Sequence, residues 1–330
     1  MAAESAPLVT VVVPTRDRPG PLRRAVASAL SQTMSDLEVV VVDDGSQPPV
    51  ALDPDPRVRI LRHSPGRGLA ASLNAGVRAA RGRWIAHLDD DDVLLPHMLE
   101  RSLEALASTT LPPPVIVVSG IEEVDARGLV VDRRYPPTRA RGAHWSLEPP
   151  DPGCAYQTRN TMVAERQLLL DIGLYDETLR SSVRNDLFLR LNPVCSILGL
   201  REPTYQRVHH TGEHVGTDHR RKHESFLVLE AKHRSLYRSH RRGYAHFLRY
   251  DAGCLAAVGD RRGALRRYGH AALLAPWETA AELVRRRIGR LRSEVSSRVR
   301  RRARSAPHPL ADRPGGAEHG SLRVGPQPDG

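Results

Sequence analysis

Between Leu8 and Gly120 the sequence alternates short, uninterrupted β-branched runs with segments of helical period, and this alternation restricts the fold more than any other feature. Leu8–Val13 (LVTVVV), Leu37–Val42 (LEVVVV), Val58–Leu61, Trp84–Leu88 and Val115–Gly120 read as strands. Their continuous apolar character leaves neither face of the sheet to solvent. Pro21–Gln32 spaces Leu22, Val26, Ala29 and Leu30 along one helical face, and Gly68–Ala80 does the same with Leu69, Leu73 and Val77. Pro96–Ala107 is a third helix with proline at its start. Such a pattern specifies an α/β fold around a mostly parallel sheet covered on both sides. Ligands of these sheets bind outside the carboxyl ends of the strands.

Beyond Glu122 the pattern breaks up. The pairs Pro136-Pro137 and Pro149-Pro150 suggest loops over a site, and Thr161–Glu165 reads as a further strand. Arg166–Ile172 and Asn185–Leu191 read as short helices. Residues 220–290 are helical by pattern and rich in arginine, and the Pro/Gly/His-rich end is expected to be disordered. The expected organisation is therefore a domain over 1–220, an Arg-rich helical extension over 221–304 and a tail over 305–330.

Composition limits the partners. The formal net charge is +11, and all but two of the 49 basic residues are arginine. Aromatic residues make up only 4%, too few for the stacking platforms of single-stranded nucleic-acid binding, so nucleic acid is disfavoured as a partner. The three cysteines form no C-x-x-C pair, which gives neither a disulfide framework nor a zinc knuckle. No apolar run reaches the roughly 18 residues of a spanning helix. A cytoplasmic setting is the expectation.

Two acidic clusters follow predicted strands directly. Asp43-Asp44-Gly45-Ser46 comes after LEVVVV, and Asp89-Asp90-Asp91-Asp92 comes after WIAHL. In a parallel sheet both emerge at the same edge. Adjacent carboxylates repel unless a cation or solvent relieves them, and hard oxygen ligands of this kind suit Mg²⁺ or Mn²⁺, which also bind diphosphate oxygens. A solvated turn or a helix N-cap would explain either cluster alone. Two at equivalent strand ends point to a metal-assisted diphosphate site.

The segments VTVVVPTRDRPGPLRRAVASALSQTMSDLEVVVVDDGS and GLAASLNAGVRAARGRWIAHLDDDDVLLPHML, followed by GLYDE (Gly173–Glu177), resemble in this order the blocks of family 2 glycosyltransferases. The likeness runs from Leu8 to Leu191. It implies a GT-A fold, a Rossmann-like sandwich, with a nucleotide-diphosphate sugar as donor. It also implies a divalent metal and inversion at the anomeric carbon. Carried over by position, Pro14 and Thr15 lie against the nucleotide. Asp44, or its neighbour Asp43, accepts a hydrogen bond from the base. Asp90 faces the ribose, Asp91 holds the metal, and Asp89 begins an alternative D-x-D frame. Arg67 is a candidate contact to the base or diphosphate.

The resemblance departs at the catalytic base. The family places Glu-Asp just before a D-L-x-L-R helix. Here the helix reads Asp186-Leu187-Phe188-Leu189-Arg190, but Val183, Arg184 and Asn185 precede it. Asp186 is the nearest carboxylate and the first candidate for the base, with Asp176 and Glu177 behind it. His209, His210 and His214 cluster later and could reach a metal or diphosphate, or form a basic loop. Near the C-terminus, Leu283, Val284, Ile288, Leu291 and Val295 recur among arginines, a pattern able to lie peripherally on the anionic inner face of a plasma membrane. A glycan or lipid-linked acceptor of cell-envelope polysaccharide synthesis would suit such a chain. An inactive sugar-nucleotide-binding homologue and a nucleotidyltransferase are the alternative readings, although the basic PTRDRPGPLRR lacks the glycines of a phosphate loop.

Overall fold

A computed structural model describes residues 6–208 and 218–284. The three histidines at 209, 210 and 214, the amphipathic segment beyond 284 and the tail over 305–330 lie outside the described residues.

The five expected strands form, and four of them lie side by side. β3 (Val58–Arg62), β2 (Leu37–Asp43), β1 (Val9–Thr15) and β4 (Trp84–His87) pair in parallel in that order. Val11 faces Val39 on one side and Ala86 on the other, so β1 is the central rail. Its side chains feed both faces. Val12 packs with Leu73 and Val77 of α2 (Leu69–Ala79). Val11 and Val13 pack with Leu22 and Val26 of α1 (Pro19–Leu30) and with Met98 and Leu99 of α3 (Met98–Ser108). Each of these fully buried aliphatic side chains contributes about 1.5–3 kcal/mol relative to exposure. That is why β1 and β2 are buried along their whole length, while the edge strand β3 keeps a partly exposed side.

The far half of the sheet differs from the simple alternation. β8 (Val163–Glu165) runs antiparallel beside β4 and separates it from β6 (Val115–Val124). β6 in turn pairs in parallel with a long strand, β9 (Ser196–Val208), whose short apolar start Ile197–Leu200 gives way to charged and polar residues. β5 (Val93–Leu94) pairs antiparallel with β9, and β7 (Val130–Arg134) lies on β6, giving nine strands. The result is a mixed, largely parallel sheet. β9 reads as polar because Arg201, Glu202 and Gln206 interrupt it, yet Tyr205 is fully buried in the core beneath β4.

Two short helices, α4 (Arg166–Asp171) and α5 (Val183–Leu191), pack behind the sheet. A helical layer follows: α6 (His219–Lys232), α7 (Arg234–Ser239), α8 (Arg241–Ala257) and α9 (Arg261–Leu274). Phe226, Tyr237, Phe247 and Leu248 form its core together with Leu147 and Leu189 from the sheet-bearing part. Residues Met1–Thr279 make one compact unit, and residue 220 falls within α6 inside it. A second unit begins at Ala280. Among the described residues no helix is long and apolar enough to cross a membrane.

The helical layer is docked through a glycine. A Cβ at Gly243 in α8 would overlap the backbone of Leu147, whereas one at Gly269 in α9 meets nothing within 4 Å. Gly243→Ala is expected to destabilise the protein by roughly 1–3 kcal/mol through overpacking. Gly269→Ala is expected to stabilise it by about 0.5–1 kcal/mol through lower chain entropy. Scanning calorimetry of the two variants checks this, and equal melting temperatures would contradict the docking role.

Candidate active site

The carboxyl ends of β1, β2 and β4 open into a cleft of about 1240 Å³. Pro14, Thr15, Asp44, Arg67, Asp89, Asp90 and Asp91 all line it. Residues expected from scattered segments thus meet at one place, because parallel strands deliver their ends to one edge.

The floor is the acidic run after β4. Asp90 is buried and accepts from the Thr15 hydroxyl at 2.7 Å and from Arg18 at 3.1 Å. Arg18 also reaches Asp91 at 2.8 Å. Asp89 accepts from Arg184 at 2.5 Å and from Asn160 at 2.8 Å. Asp92 turns inward, where it accepts from the Tyr205 hydroxyl at 2.8 Å and from the Val208 backbone N–H at 3.2 Å. Burial raises the Asp90 pKa against the opposing pull of Thr15 and Arg18. Burial, together with Asp89 and Asp91, pushes Asp92 up to about 8. Both shifts favour the protonated acid, so Asp90 and Asp92 carry less negative charge than ordinary carboxylates would.

The second acidic cluster has a different use. Asp43 accepts from the Ser46 and Val50 backbone N–H groups and from Arg62 at 2.5 Å, and does not line the cleft. It shapes the turn after β2. Asp44 accepts from the backbone N–H groups of Arg67 and Gly68 at 2.7 and 2.8 Å, and contacts His63 Nδ1 at 3.0 Å. Gly68 holds φ +95°, a conformation favouring glycine, and this turn starts α2. Asp44 thus fastens the cleft loop 63–68 to β2. Burial opposes its charge, but these hydrogen bonds hold its pKa below the usual carboxylate range. The Arg67 side chain, half exposed, reaches Glu177 at 3.0 Å.

Asp186 is not brought to the cleft. It is fully buried on α5, where Arg190 binds it at 2.9 Å, Lys232 at 2.9 Å and His233 at 2.8 Å. Burial alone would raise its pKa, but the hydrogen bonds from His233 and Lys232 and the charge of Arg190 hold it well below normal. A carboxylate this well paired clamps α5 to α6 and is a poor proton acceptor. Asp176 likewise pairs with Lys232, away from the cleft lining. Glu177 does line the cleft, accepting from Asn74 at 2.9 Å and from Arg67.

The cleft contains cations that the motifs do not indicate. Arg18, Arg159, Arg184 and Arg207 all line it. Arg184 stands in the register where the base is expected. Burial works against its charge, but Asp89 beside it holds the guanidinium protonated. Arg159 bonds the neutral Ser146 hydroxyl at 2.9 Å. Burial, and the nearby charges of Arg184 and Arg207, bring its pKa down to about 10. Arg18 could be suspected from its place four residues beyond Pro14. Arg159 and Asn160 sit in a short 3₁₀ segment with no pattern, and Tyr205 sits in a strand that reads as polar.

Residues 10–145 match the model of glycosyl transferase family 2. A succinoglycan biosynthesis protein, ExoO, of Rhizobium meliloti (strain 1021) is 46% identical over 107 residues, covering 31% of each chain. The chondroitin synthase of Pasteurella multocida (strain Pm70) is 31% identical over 218 residues, which is 62% of this chain and 21% of that protein. The chain thus spans a third or less of these two relatives. Among solved structures, S. aureus TarS 1–349 in complex with UDP-GlcNAc superposes with a TM-score of 0.58 at 16% identity, covering 83% of each chain, and shares the GT-A fold. The blocks that meet in one cleft at the strand ends thus lie in a segment, residues 10–145, that is similar to glycosyl transferase family 2.

Proposed function

We propose that this chain transfers a sugar from a nucleotide-diphosphate donor to a hydroxyl acceptor, with inversion, in the synthesis of a cell-envelope polysaccharide. The observation that carries the reading is the convergence of Thr15, the Asp44-anchored loop and the Asp89–Asp91 run on one cleft. The TarS structure holding UDP-GlcNAc and the succinoglycan protein support a sugar-nucleotide donor and a glycan acceptor.

In the transfer, an acceptor oxygen attacks the anomeric carbon as the bond from that carbon to the diphosphate breaks. The electron pair leaves on the diphosphate, and the acceptor proton passes to a base. Arg18, Arg159 and Arg184 supply positive charge in the cleft where the leaving group gains negative charge. Asp91 and Asp89 line the cleft with hard carboxylate oxygens of the kind that fits a divalent cation, and would hold it. When bound, such an ion offsets diphosphate charge. Thr15 and Arg18 keep Asp90 fixed. With Asp186 in its ionic clamp, the base role moves to Glu177, which alone of the three candidate carboxylates lies on the cleft wall.

A second reading, a sugar-nucleotide binder without turnover, draws on the pairing of Arg184 with Asp89 in the register of the missing acidic pair. Donor hydrolysis or transfer by the unmodified chain excludes it.

Asp91→Ala is expected to reduce nucleotide-diphosphate affinity measured calorimetrically in Mn²⁺. Equal affinity in the variant would remove Asp91 from the metal site.

Glu177→Gln is expected to lower turnover by roughly 10²–10⁴-fold while donor binding persists. Unchanged turnover would exclude Glu177 as the base.

Asp186→Asn should lower the melting temperature yet leave turnover per folded molecule nearly unchanged. Because the folded pKa of Asp186 is depressed, its stabilisation is present above the unfolded value of about 3.9 and lost as pH falls below it. The stability gap between wild type and Asp186→Asn should therefore narrow as pH drops below about 4. A gap independent of pH would contradict the ionic clamp.

A further inference from the structure

Away from the cleft, the helical layer contains a second cavity of about 620 Å³. Its wall carries Arg234, Arg238 and Arg241, at spacings of four and three residues along α7 and the start of α8. Arg234 and Arg238, four residues apart on α7, share one helix face, and Arg241 reaches the same cavity from the start of α8. All three are exposed, and none forms an ion pair among the described residues. The cavity's one carboxylate, Glu230, is already engaged by Arg267 at 2.8 Å and by the Tyr244 hydroxyl. Three guanidinium groups thus line one cavity without an ion pair of their own among the described residues. Arginine forks of this kind match phosphate oxygens.

The rest of the cavity is not polar. Leu227 and Leu274 line it beside Tyr237. Tyr237 is almost fully buried, and its hydroxyl has no hydrogen-bond partner among the described residues. Next to Leu274 in sequence, Leu273 is 80% exposed and Trp277 is 83% exposed. Large apolar side chains held this far into solvent beside unpaired arginines match the headgroup region of a membrane, where Trp and Leu enter the apolar boundary and Arg meets phosphate.

We propose that this cavity is a phosphate-headgroup site for an anionic amphiphile, with Arg234, Arg238 and Arg241 on the phosphate and Leu273 and Trp277 on the apolar part. The site does not use the cleft residues, so it stands or falls independently of the transferase reading. It would bring the chain to an anionic lipid surface through described residues rather than through the segment beyond 284.

The test is flotation of the full chain with phosphatidylcholine vesicles, with and without phosphatidylglycerol, beside calorimetry with inorganic pyrophosphate. The double variant Arg234→Gln/Arg238→Gln should lose roughly 30-fold in partitioning to the anionic vesicles, since each arginine near such a surface is worth about fivefold. Arg261→Gln/Arg262→Gln removes the same charge from exposed positions at the opposite end of α9 and should lose much less. Trp277→Ala should weaken vesicle binding without changing pyrophosphate affinity. Equal losses in the two double variants would overturn the proposal in favour of diffuse charge attraction. Pyrophosphate binding that depends on Arg234 and Arg238 without any vesicle binding would overturn it in favour of a soluble phosphate ligand.

Discussion

Everything in the cleft is arranged around the mutual repulsion of Asp89, Asp90, Asp91 and Asp92. Two like charges about 4 Å apart cost about 4 kcal/mol at an effective dielectric constant of 20. The fold meets this cost from four directions. Arg18 comes from the loop after β1, Asn160 from the segment before β8, Arg184 from α5 and Tyr205 from β9. Those segments are far apart in sequence, so the acidic run can exist at this density only once the whole sheet and α5 are assembled. Arg18, Asn160 and Arg184 also line the cleft.

The balance is local rather than complete. Asp92 is driven up to about 8 by burial and its neighbours, while Arg159, a short way along the cleft, is driven down to about 10 by burial and by neighbouring arginines. Asp91 and Asp89 meet Arg18 and Arg184, whereas Arg159, which also lines the cleft, bonds a neutral hydroxyl. A ligand with separated cationic and anionic partners, such as a metal-bound diphosphate, suits that field. The nearly lysine-free composition strengthens it, because guanidinium groups stay charged when partly buried where an ammonium would deprotonate. His87 lies behind the run, and burial followed by the charge of Arg184 lowers it to about 3, so it adds no charge.

Much of this is legible in the amino-acid sequence. The parallel half of the sheet announces itself through strands too apolar to have a wet face, and the strand-end position of Asp44 and of Asp89–Asp91 follows from that register. Three things are not legible. β9 is broken by charges and looks like loop, because its burial is confined to positions such as Tyr205. The separate roles of Asp43 and Asp44 depend on which carboxylate meets Arg62 and which meets the 63–68 loop. Asp186 looks like the nearest available base because proximity in sequence to the family helix is the only guide. Its burial is set by Lys232 and His233 on and just after α6.

The sequence by itself determined the elements whose signal is local: continuous apolar strands, helices with one apolar stripe, and acidic turns at strand ends. These depend on backbone period and on transfer of side chains out of water, both readable over a few residues. Only the tertiary structure decided which charges meet. Pairing Arg184 with Asp89, and Asp186 with Lys232 and His233, joins residues tens of positions apart. Electrostatic energy depends on distance and burial rather than on order in the chain, so a carboxylate's role as clamp, ligand or base is fixed only when its neighbours are in place.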